Sequence, residues 1–90
     1  MKIYKVFMKN QTDYIVPADD VQIISNHILT YMRFVSRKYE KGEMREKTEA
    51  LFLTNDMIGY WEEYECRNTE KRKCIDEYKK YLDKNNQIEY

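Results

Sequence analysis

The stretch DDVQIISNHILTYMRFV, residues 19–35, sets the fold class expected for this chain. Val21, Ile24, Ile28, Tyr31, Met32 and Val35 recur at three- and four-residue steps, which predicts an amphipathic helix. On a wheel of roughly 100° per residue they share one face about 100° wide. Asp19 stands where such a helix needs a cap, and Gln22 three residues on can complete a capping box. His27 falls on the flank of this helix. Ile23 and Phe34 fall nearly opposite the apolar face and need a cover of their own.

Upstream, Lys2–Lys9 alternates as a strand does, with Tyr4, Val6 and Met8 on one face and Ile3 and Phe7 on the other. Asn10-Gln11-Thr12-Asp13 is a turn cluster, and Tyr14-Ile15-Val16 resumes the pattern, so the N-terminus reads as a hairpin. Pro17 cannot donate to a ladder, which ends the second strand or puts it at an edge. Downstream, SRKYEKGEMREK (residues 36–47) reads as a loop or the exposed start of a hairpin. ALFLTNDMIGYWEEYE (residues 50–65) reads as two strands turning at Asn55–Asp56, with Leu53 facing Ile58, Leu51 facing Tyr60 and Phe52 facing Gly59. One face then carries Leu51, Leu53, Ile58 and Tyr60, and the other Ala50, Phe52, Met57 and Trp61.

A second helix is expected from Asn68 or Thr69 to Lys84, with the stripe Cys74, Ile75, Tyr78, Tyr81 and Leu82. Gln87–Tyr90 carry no clear pattern. The order β-β-α-β-β-α predicts one α+β domain over residues 1–90: an antiparallel sheet of about four strands packed with two helices.

Composition narrows function. The chain has 90 residues, 42% hydrophobic and 36% charged, which is globular rather than disordered usage. Sixteen basic and sixteen acidic residues cancel, leaving no global field to steer it onto nucleic acid or an anionic membrane. No stretch approaches the ~20 apolar residues of a membrane span. The opening MKIYKVFMKN lacks the continuous apolar run of a signal peptide. A cytoplasmic protein with Cys66 and Cys74 as reduced thiols is therefore expected. Abundant Lys, Asn, Ile, Tyr and Phe with scarce Gly, Pro and Ala is the usage of an AT-rich genome, a style common in phages and mobile elements of low-GC bacteria.

The residues that carry chemistry are few. One histidine and two cysteines sit in no recognisable nucleophile signature. Cys66 and Cys74 are eight apart, outside the roughly two-to-four spacing of zinc ligand pairs. Gly42 and Gly59 stand alone, so no phosphate loop or dinucleotide fingerprint exists. Glu62, Glu63 and Glu65 straddle both faces of a strand and do not converge as an acid–base pair. A non-enzymatic protein with no metal and no cofactor is the expectation.

Two binding classes remain. Lys71, Arg72, Lys73, Lys79, Lys80 and Lys84 make the last helix basic, the signal for a nucleic-acid surface. Glu70, Asp76, Glu77 and Asp83 break it up, so residues 67–90 hold seven basic and five acidic side chains, a net of only +2. Against this stands heavy aromatic usage, nine tyrosines and one tryptophan, of the kind that anchors protein interfaces. Residues 41–66 also carry three basic and seven acidic side chains, a net of −4 that suits a basic partner. The reading is a small protein-interaction module whose contacts are Tyr60, Trp61, Glu62, Glu63 and Tyr64, with Ile23 and Phe34 as a second patch. Its expected action is steric: an inhibitor or modulator of phage or mobile-element type, an anti-defence protein blocking a host or defence-system partner. Nucleic acid through the last helix is the alternative, and a homodimer through an uncovered sheet face is a third arrangement.

Overall fold

The structure is a computed structural model and describes residues 1–86, so Gln87–Tyr90 lie outside the described residues. Six strands precede one helix: β1 (Lys2–Met8), β2 (Asp13–Ala18), β3 (Asp20–Ser25), β4 (Thr30–Glu40), β5 (Glu43–Leu53), β6 (Met57–Glu65) and α1 (Lys71–Asn86). They form two antiparallel three-stranded sheets, ordered β2-β1-β6 and β3-β4-β5. The fold is mostly β, which overturns the expected α+β sheet with two helices.

The correction lies in residues 19–35. This stretch is not a helix but the β3–β4 hairpin, with Val21 opposite Phe34 and Ile23 opposite Met32. The Asn26 side chain accepts hydrogen bonds from the amides of Ile28 (2.9 Å) and Leu29 (2.8 Å), and the Asn26 amide donates to the Leu29 carbonyl at 2.9 Å. That local turn claims groups a helix would need. The β-branched Val21, Ile23, Ile24, Ile28, Thr30 and Val35 also lose rotamer freedom in a helix and fit a pleated surface better. The three-residue steps Val21–Ile24 and Met32–Val35 each lie within one strand, so these apolar residues stand on both faces of the hairpin rather than along one helical stripe. Asp19 caps nothing. It is the single residue between β2 and β3, where the chain passes from one sheet to the other. Its amide donates to the Val35 carbonyl (2.8 Å), its carboxylate accepts from the Arg37 amide (2.7 Å), and the N-terminal ammonium lies 3.6 Å away.

Residues 50–65 are corrected too. β5 and β6 lie in different sheets, joined by a 3-10 turn over Thr54–Asp56. Asn55–Asp56 lacks the glycine that a two-residue hairpin turn favours. Instead the Thr54 hydroxyl donates to the Thr30 carbonyl at 3.1 Å, and the Lys9 amide donates to the Asp56 carbonyl at 2.9 Å. These bonds hold the turn over β4 and deliver the chain to β1. Phe52 consequently faces Met32, and Gly59 faces Phe7. The N-terminal β1–β2 hairpin stands where the alternation placed it, with Pro17 on the edge strand β2.

The inner faces of the two sheets meet in a core of Tyr4, Val6, Val16, Ala18, Met32, Phe34 and Met57. Phe34 is its centre: fully buried, with ring centroids of Tyr4, Tyr60 and Phe52 at 5.4, 5.8 and 5.9 Å. A second cluster joins Ile3, Cys66, Cys74 and Tyr78, with Tyr64 and Leu82 packed against it. It docks the apolar stripe of α1 on the outer face of the first sheet. Cys66 and Cys74 are bonded, not free thiols, with 5.4 Å between their Cα atoms. A turn at Arg67–Glu70 brings the two together despite their spacing. Disulfides persist in oxidising compartments, so this bond lends no support to the cytoplasmic expectation.

Residues 36–47 are the exposed hairpin of the two alternatives rather than a loop: they form the outer half of the long β4–β5 hairpin, an exposed arm. Its tip is a two-residue turn at Lys41 (φ 52°) and Gly42 (φ 78°), the left-handed pair such turns require. A Cβ at Gly42 would meet no atom within 4 Å, so only the backbone conformation opposes a side chain. Gly42→Val is expected to cost about 1–2 kcal/mol in urea unfolding, and Gly42→Asn distinctly less.

Candidate docking surface on strand β6

β6 pairs only with β1, so its other edge presents unpaired backbone groups, a template for a further strand. Its register against β1 slips twice, between Phe7 and Met8 and between Ile3 and Tyr4. The extra residues are Ile58 and Glu63, and they bracket Gly59-Tyr60-Trp61-Glu62. Here the strand is apolar and open: Ile58 is 71% exposed, Trp61 51% and Tyr60 42%.

Trp61 is fixed on three sides. Its ring lies on Phe7 at 4.4 Å between centroids, and its indole N–H donates to the Glu63 carboxylate at 2.6 Å. The Lys5 ammonium, from the residue directly opposite on β1, sits 4.0 Å from the same carboxylate. A half-exposed aromatic already held in one orientation loses little entropy when a partner covers it. Tyr60 leans on the core edge, its ring 6.3 Å from Tyr4. The Glu62 carboxylate pairs with Lys2 at 2.8 Å, and that hydrogen bond holds the Lys2 ammonium above its ordinary pKa.

Tyr64 plays a different part from its neighbours on β6. It is half-buried under α1, with Tyr81 at 4.7 Å and Tyr78 at 5.8 Å. Burial and then the Glu77 carboxylate raise its phenol pKa, consistent with a helix anchor. Ile23 is 69% exposed on β3, at the edge of the other sheet. Phe34 is corrected outright: a side chain with no exposure cannot touch a partner. Ile58 and Phe7 were missed. Neither carries a sequence signal for this role, because the role follows from β6 lying beside β1.

The basic residues of α1 do not form one surface. Lys71 turns inward to the Glu49 carboxylate at 3.0 Å, and Lys73 reaches Glu70 at 3.7 Å. At about 100° per residue, Lys73, Lys80 and Lys84 share a face with Glu77, while Arg72 and Lys79 share another with Asp83. Among the described residues Glu49 is the most enclosed ion-paired carboxylate, its side chain 4% exposed. Burial pushes its pKa up, but the Lys71 ammonium and the Ser36 hydroxyl (2.9 Å) outweigh burial and hold it below the ordinary glutamate value.

His27 lies exposed in the β3–β4 turn rather than on a helix flank, and neither bonded cysteine offers a thiolate. Among the described residues, no three His, Cys, Asp or Glu side chains group as metal ligands, and no helix is long and apolar enough to cross a membrane. Comparison with protein-family models, curated proteins and solved structures finds no match for this chain.

Proposed function

We propose that this protein is a non-enzymatic interaction module that captures an extended segment of a partner protein along the free edge of β6. The observation that carries the reading is the open edge beside an exposed, orientationally fixed Trp61. In strand addition, backbone hydrogen bonds supply affinity and alternate side chains supply selectivity. Trp61 and Tyr60 act as the anchors, and Ile58 widens the apolar contact. Glu62 and Glu63 are already paired with Lys2 and Lys5, so Glu65 is the carboxylate that favours a basic residue on the incoming segment. Occupying that segment denies it to other partners, a steric mode of inhibition. The AT-rich residue usage supports a phage- or mobile-element origin, and with it a host or defence-system protein as the partner.

The test is affinity capture from host lysate with three baits, followed by binding measurements on the purified partner. The partner retained by the parent protein should bind Trp61→Ala at least tenfold more weakly, a loss typical of an interface hot spot. A Lys79→Ala/Lys80→Ala/Lys84→Ala bait should retain it fully. If the triple variant loses the partner and Trp61→Ala does not, the β6 reading fails. Sedimentation over a range of concentrations separates the remaining arrangement: a dimer abolished by Trp61→Ala would make a second copy the occupant of β6.

A further inference from the structure

The arm and the start of α1 enclose a cleft of about 660 Å³. The inner face of β4–β5, apolar at Phe34 and Ala50, changes character at a register slip where Glu49 is the extra residue of β5. Beyond it the same face pairs Ser36 with Lys47, Lys38 with Arg45 and Glu40 with Glu43. Four cations line the cleft, Arg37 and Lys38 from β4, Lys47 from β5 and Lys71 from α1, against two carboxylates, Glu49 and Glu70.

Those carboxylates are already engaged. Glu49 is held by Lys71 and Ser36, and Glu70 lies beside Lys73. Arg37 is committed to Asp20 at 2.8 Å and Glu46 at 3.8 Å, and Lys38 meets Glu40 at 3.5 Å. Lys47 has no carboxylate within 4.0 Å among the described residues. The lining therefore holds four cations to two carboxylates, and Lys47 is the one of the four with no ion-pair partner among the described residues.

We propose that this cleft binds a compact diphosphate group, with Lys47 as its unpaired cation, Lys38 and Lys71 shared with it by their partners Glu40 and Glu49, and the Thr69 hydroxyl as a further donor. Lysines from three elements lining one cleft suit an anion that carries several charges within a few ångströms. The volume is that of a small-molecule site. A nucleic-acid strand needs a continuous cationic track, which the acids of α1 interrupt. Inorganic diphosphate and the diphosphate of a nucleotide share this chemistry. Tyr39, 71% exposed at the rim, offers a ring on which only the nucleotide's base can stack.

The experiment is an amide chemical-shift titration of the full chain with sodium pyrophosphate and, separately, with ADP, at fixed ionic strength. Saturable shifts are expected at Lys47, Thr69 and Lys71, with affinity about tenfold weaker in Lys47→Ala and unchanged in Lys80→Ala. Equal affinity for the two probes assigns free diphosphate. Tighter ADP binding that Tyr39→Ala abolishes assigns a nucleotide. Trp61→Ala should leave either titration intact, so this site and the β6 edge stand or fall separately. The proposal is overturned if neither probe saturates at millimolar concentration. It is equally overturned if Lys80→Ala weakens binding as much as Lys47→Ala, or if a single-stranded oligonucleotide binds across Lys79, Lys80 and Lys84 while pyrophosphate does not bind.

Discussion

Phe34→Ala is expected to remove about 3–5 kcal/mol of stability, the range for deleting a buried aromatic side chain. A domain of this size has only about 5–13 kcal/mol in total, so the variant stands at the edge of folding at room temperature. The loss has two parts, apolar area returned to water and a cavity that Tyr4, Phe52 and Tyr60 cannot fill together. These rings belong to β1, β5 and β6, so the void opens where both sheets meet. Urea unfolding followed by the emission of Trp61, the single tryptophan, measures it directly. Phe34→Leu should cost far less. A loss below about 1 kcal/mol for the alanine variant would mean that the ring does not hold the sheets together.

Joint replacement of Cys66 and Cys74 by alanine is expected to cost about 2.5 kcal/mol, from the entropy of closing a short loop eight residues apart. The damage should be uneven. α1 is otherwise tied to the sheets by the Ile3–Tyr78–Leu82 contacts, by Lys71 on Glu49, and by the Glu77 carboxylate, which accepts from the Arg67 amide at 3.0 Å and the Asn68 amide group at 3.2 Å. Its amides should exchange with solvent well before those of β4 in the variant, and together with them less readily in the parent. Two titratable thiols in the untreated native protein would contradict the bonded pair.

What could be read from the sequence was what is local. The β1–β2 hairpin follows from strict alternation beside a turn cluster, and α1 from a clean stripe ending in Asn85–Asn86. Residues 19–35 misled because short apolar runs on two strands imitate a helical period, and only the Asn26 side-chain bonds decide between them. The aromatic and acidic character of β6 was legible. Its open edge was not, since strand order depends on the 3-10 turn carrying the chain away from β5. Phe34 was misplaced for the same reason: once residues 19–35 fold as a hairpin, its side chain points between the sheets. The cleft beside the arm was invisible, because nothing in residues 36–47 says that residues 69–71 come to rest against them.

The extra residue at Glu63 has an outcome of its own. Trp61 and Tyr64 are an odd number of positions apart, yet they sit opposite Lys5 and Ile3, which share one side of β1. Were Glu63 paired into the ladder instead of bulging out, strict two-residue phasing would put the two rings on opposite faces, and only one could keep its present aspect. Either the helix would forfeit its tyrosine seat or the indole would turn toward the core. The spare glutamate thus lets a single strand hold its own helix and offer a grip to a visitor on the same side.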